Sequence, residues 1–146
     1  MTDSSRGRLA EHIDTIEKSY EFFLAYAAQG LRGGEGSKIS DQLLEALDNT
    51  IEALEELSSL VEKVATGREV SASEELQAFR EVVEEDAVKA GAAVKLVRAQ
   101  ETVSSQLIDN LNASVHLRAL LTDLFLLDEV LKLNAPRSKE EEAKVG

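Results

Sequence analysis

His12 and His116 are the only two histidines in the chain. Histidine is the side chain whose unperturbed proton affinity suits acid–base work near neutral pH. Neither stands in a ligand pattern. Carboxylate-bridged dimetal sites in helical bundles need Glu-x-x-His on two helices. Here His12 follows Glu11 directly, and Ala113 stands three residues before His116. Asp86, Asp109, Asp123 and Asp128 lie beside apolar positions and are the acids placed to project inward. Glu81, Glu84 and Glu85 with Asp86 form an acidic cluster that would suit magnesium, but no downstream Glu-x-x-Asp completes it. The absence of cysteine excludes disulfides, thiol nucleophiles, zinc fingers and cysteine-ligated iron–sulfur clusters. The run Gly30-Leu-Arg-Gly-Gly-Glu-Gly-Ser-Lys38 has Ser before Lys, and no strand precedes it, so it is not a phosphate loop. A Ser-His-Asp triad would need a strand–turn–helix elbow, and the sequence offers none. The sequence therefore assigns no catalytic residue, no metal ligand and no cofactor.

The elements that carry these residues are helical by pattern. Leu9, Ile13, Ile16, Tyr20, Phe23, Ala27 and Leu31 repeat at three- and four-residue intervals, which places them on one helical face. Phe22 and Tyr26 widen that face, and the aromatic cluster reads as core. Gly30 supplies a left-handed terminator. Ser40 serves as an N-cap, flanked by Ile39 and Leu44 at staple positions. Leu43, Leu47, Thr50, Leu54, Leu57, Val61 and Val64 form the second seam, and Gly67 closes it. Ser71 and Glu74 have capping-box spacing. The third seam is Leu76, Phe79, Val83, Ala87, Ala90, Val94 and Val97. Its middle, Ala87-Val-Lys-Ala-Gly-Ala-Ala-Val94, permits close approach by a neighbouring helix.

From Ala92 to Ala135 there is neither Gly nor Pro. The next turn is placed at Glu101–Ser105, where Thr102, Ser104 or Ser105 could cap. Asp109–Ser114 is the second choice, and one very long helix the third. Pro136 follows the last helix as a stop. No period-two alternation marks a strand. The expectation is an all-α chain: an antiparallel, up-down-up-down four-helix bundle with helices about 6–30, 40–66, 72–101 and 104–134. Residues 135–146 read as a charged, disordered tail.

Two surfaces suggest partners. The stretch Leu117–Leu133 is apolar nearly all round, through Leu117, Leu120, Leu121, Leu124, Phe125, Leu127, Val130 and Leu131. A bundle cannot bury one helix on every side, so the surplus predicts self-association, with a dimer as the expected state. On the second helix, Asp41, Glu45, Asp48, Glu52, Glu55 and Glu62 recur at helical spacing away from the leucine seam. That acidic face would dock a protein with a basic surface, or would simply be solvated. Arg80, Lys89, Lys95 and Arg98 on the third helix are candidates to pair across subunits.

The chain has 28 acidic and 16 basic residues, a net charge of −12. That balance excludes a nucleic-acid binder and disfavours anionic lipid. The polar N-terminus is not a secretory signal, and charges interrupt the most apolar window, so a cytoplasmic location is expected. The functional expectation is a non-enzymatic helical interaction protein: a small regulatory, adaptor or scaffolding subunit. The alternative is a carboxylate-rich bundle that binds a metal or small ligand, with catalysis as an extension.

Overall fold

The computed structural model describes residues 2–33, 37–65 and 73–134, with the side chains of residues 2–4 left aside. These residues fold into helices without a strand: α1 (Thr2–Ala27), α2 (Lys38–Ala65), α3 (Glu74–Arg98), α4 (Ser105–Ala113) and α5 (His116–Leu133). The all-α expectation holds, but there are five helices among the described residues and not four. The expected fourth helix is broken in two.

Both alternative turns between residues 98 and 116 are present. Ser104 Oγ accepts from Leu107 N at 3.1 Å and starts α4. Ser114 then closes α4, its Oγ donating to the Leu111 carbonyl at 2.6 Å. Val115 adopts φ 60°, a left-handed conformation without glycine's freedom, and α5 starts at the next residue. The break needs neither Gly nor Pro because side-chain hydroxyls and one left-handed residue supply the punctuation.

The helix starts also shift slightly. Ser37 Oγ accepts from Ser40 N at 3.2 Å, so the cap of α2 is Ser37 and not Ser40. Ser73 Oγ accepts from Leu76 N at 3.0 Å and caps α3. Ser71, Gly67 and the 135–146 tail lie outside the described residues.

Each helix buries its three-four face. All seven residues of the second seam, Leu43 to Val64, are buried. In the third, only Phe79 is not fully covered. α2 lies between α1 and α3, α3 also packs on α5, and α1 packs on α4 and α5. Thr50, buried within this core, donates to the Ala46 carbonyl at 2.8 Å and so meets its hydrogen-bonding need inside its own helix.

A polar knot joins the end of α1 to the start of α4. Tyr26 Oη donates to the Val103 carbonyl at 2.8 Å. Ser105 Oγ donates to the Tyr26 carbonyl at 2.6 Å and accepts from Leu31 N at 2.9 Å. Ser105 N donates to the Leu31 carbonyl at 2.8 Å. Gly33, at φ 86°, passes so close that a Cβ there would lie 2.6 Å from the Val103 oxygen. Buried backbone groups in two loops thus find partners in each other.

Candidate functional site

Of the four acids expected to project inward, two are brought together. Asp86 sits on α3 between the core residues Val83 and Ala87, and Asp123 on α5 between Leu120 and Leu124. Asp123 Oδ2 is buried without a hydrogen-bond partner. Burial foremost, then a shared proton with Asp86 and that residue's charge, push the Asp123 carboxyl up from 3.8 to about 7. Asp109 is exposed, and Asp128 pairs with Lys132 at 3.1 Å on its own helix. Glu84 is likewise engaged elsewhere, by Arg80 at 3.1 Å and Ser58 Oγ at 3.2 Å. Among the described residues no three acidic or histidine side chains converge on one point. The Asp86–Asp123 pair can hold a proton between α3 and α5, but it offers a cation only two carboxyl groups.

His12 contributes to a different cluster. Its Nε2 lies 2.7 Å from Glu56 Oε2, though without the alignment of a hydrogen bond, and Arg8 reaches the same oxygen at 3.4 Å. These contacts tie α1 to α2. His116 is exposed at the start of α5.

The acidic face of α2 is where the spacing put it: Asp41, Glu45, Asp48, Glu52, Glu55 and Glu62 are all exposed. Part of it is already engaged. Arg98 Nε bonds Asp48 Oδ1 at 2.8 Å, and Lys95 Nζ lies 3.4 Å from Glu55. Two of the α3 bases therefore pair with α2 of the same chain, and Arg80 pairs within α3. Lys89 makes no ion pair among the described residues.

The leucine-rich segment is corrected by the fold. Leu117, Leu120, Leu121, Leu124, Leu127 and Leu131 are buried inside the single chain, so they are core and not a surface. At 100° per residue these six leucines fall within one arc of about 120°. α5 lies against both α3 and α1, which together cover that arc. Val130 is half-buried. What remains outside is Phe125 at 46% exposure, with Leu126 and Leu133 beside it in helical register.

An apolar groove between α2 and α3 was not evident from the seams. Leu54, Ala87, Val88, Gly91 and Ala92 line about 350 Å³, with Glu55, Glu84 and Lys95 at the rim. The small residues expected to bring helices close do not close up around Gly91, where an added Cβ would meet only Leu54 Cδ1 at 4.0 Å. Val88 is 73% exposed at its lip. The signal in the sequence was an apolar residue off the seam, one position past Ala87. Comparison with protein-family models, with curated proteins and with solved structures gave no match.

Proposed function

We propose that this chain is a non-enzymatic helical interaction subunit that self-associates and docks on a second protein with a basic surface. We read its helices as an antiparallel, up-down-up-down bundle whose fourth position α4 and α5 fill in tandem. The cyclic adjacency of α1, α2, α3 and the α4–α5 pair supports that reading. One observation carries the function: large apolar side chains stand exposed on two helices that pack together. Val82 and Leu96, fourteen residues apart, share one side of α3 with Val88 flanking them, and Leu126 and Leu133, seven apart, share one side of α5 beside Phe125. Single exposed apolar residues are ordinary, but grouped ones mark contact surfaces. The α2 acids supply steering and register for a basic partner. No helix among the described residues is long and apolar enough to cross a membrane.

The test is affinity capture from native extract, with cross-linking, using the wild type and two variants. One variant is Leu126→Asp with Leu133→Asp, and the other Glu45→Gln with Glu52→Gln. The expected result is a defined protein recovered by the wild type, lost with the first variant and weakened by the second or by raised salt. Recovery of the same proteins by all three chains would overturn the proposal.

A further inference from the structure

α3 carries a second three-four seam, turned away from the core. Ala78, Val82, Glu85, Lys89, Ala92 and Leu96 follow one another at intervals of 4, 3, 4, 3 and 4, and every one is exposed. Such spacing is what a helix presents to a partner helix. The core face of α3 centres on Val83, Ala87, Ala90 and Val94, on the opposite side of the same cylinder. Leu96 is 67% exposed, and Val88 flanks the row.

The order of residue types along this seam is self-complementary. Its ends are apolar, and its centre is one acid followed by one base. Reversed end to end about Ala87, the row lies on itself: Ala78 faces Leu96, Val82 faces Ala92, and Glu85 faces Lys89. Neither Glu85 nor Lys89 makes an ion pair with another described residue of its own chain, although Arg80, Lys95 and Arg98 all do. These two charges, the only ones on the seam, are the two that a two-fold partner would match. A parallel pairing would instead set Glu85 against the partner's Glu85 and Lys89 against the partner's Lys89.

We propose that a second copy of this chain packs on the outer face of α3, antiparallel and two-fold symmetric, with Glu85 opposite the partner's Lys89. The proposal rests on the protein-interaction reading and names the partner for one of its surfaces. The contact runs ~28 Å along the helix. It is an isologous interface, in which each apolar contact and each ion pair occurs twice. The pairs set register and direction, and the apolar ends supply the burial.

The test uses the full chain, which has no native cysteine. Sedimentation equilibrium near physiological salt should give a dimer at tens of micromolar. Glu85→Lys places lysine against lysine twice, and should weaken dimerisation roughly tenfold. Lys89→Glu should do the same, and the double swap E85K/K89E should restore it to within about threefold of wild type. Disulfide trapping fixes the direction. Val82→Cys mixed with Ala92→Cys should yield a covalent dimer under mild oxidation, while either variant alone should not, because like positions lie ~15 Å apart along the helix. A monomeric wild type, a double swap no better than the single ones, or efficient cross-linking by V82C alone would each overturn the proposal. If the wild type is monomeric yet still captures another protein, the pairing and self-association fail while docking on a second protein stands.

Discussion

Gly33 and Val103 meet backbone to backbone, and that contact decides what position 33 tolerates. A methyl group there would lie 2.6 Å from a carbonyl oxygen that already accepts from Tyr26, and the φ of 86° disfavours any L side chain. Gly33→Ala should therefore cost roughly 3 kcal/mol, strain and clash together, read as a lower urea midpoint with unchanged slope. Ser105→Ala should cost about 2 kcal/mol, because it leaves Leu31 N without its acceptor and removes one of the donors to the buried Tyr26 carbonyl, which keeps Gln29 N. Asp123 gives a pH signature of known sign. Its carboxyl titrates at about 7 in the fold and near 3.8 when unperturbed. Between those values the folded chain holds a proton that the unfolded chain has released. This group's stabilising contribution is complete below the lower value and is lost as pH rises through the upper one. Asp123→Asn removes the ionisation and keeps the shape. Its urea midpoint should exceed the wild type's at pH 8, and the gap should shrink at pH 5. An equal gap at both pH values would mean that the α3–α5 contact does not hold a shared proton. These features were the least legible in the sequence. Gly33 was one glycine in a glycine-rich loop, and Asp86 and Asp123 were two of four acids beside apolar positions. Only tertiary packing chooses among them.

At the level of elements, periodicity carried the reading because burial itself is periodic. Every residue of the α2 seam, Leu43 to Val64, is covered, and Ser104 caps where a hydroxyl was expected. The turn between α4 and α5 was harder to weigh, because Asn110, Asn112 and Ser114 punctuate weakly and Val115 is a β-branched residue that avoids left-handed conformations. Its φ of 60° is imposed by what it connects. Val115 is itself largely exposed, so little packing holds it there. Val115→Gly should relieve the conformational strain and raise stability by about 1 kcal/mol, net of the added freedom in the unfolded chain. A loss of stability in thermal or urea unfolding would show instead that the valine side chain packs in a way that offsets its backbone cost. The leucines of α5 show where that reading ran short. At 100° per residue, Leu117, Leu120, Leu121, Leu124, Leu127 and Leu131 fall within one arc of about 120°, and packing against α3 and α1 covers it. The density of leucine in the sequence was therefore a poor guide to which side chains face outward.

For the whole molecule, the question is which apolar groups hold the chain together and which are spare. Leu124 is fully buried, whereas Leu126, two residues on, is about half exposed. An aspartate at Leu124 would bury an unpaired carboxylate in the core, which costs several kcal/mol and approaches the entire stability of a domain this size. Leu124→Asp should abolish cooperative unfolding and most helical circular dichroism. Leu126→Asp should change the free energy of urea unfolding by less than about 0.5 kcal/mol and leave the spectrum intact. A folded, dissociated Leu124→Asp chain would reassign that residue from core to interface. The charge distribution adds a second constraint on the same balance. The net charge of −12 opposes compaction, while the ion pairs of Arg98 with Asp48 and Lys95 with Glu55 favour it. Those pairs are exposed and each contributes at most about 1 kcal/mol, so the collective repulsion outweighs them. Raising salt from 10 mM to 0.3 M should therefore increase the melting temperature, since screening removes more repulsion than attraction. The increase should be larger for Lys95→Gln, which raises the net negative charge further. A fall with salt would mean that local pairs, and not the overall field, govern the electrostatics of this fold.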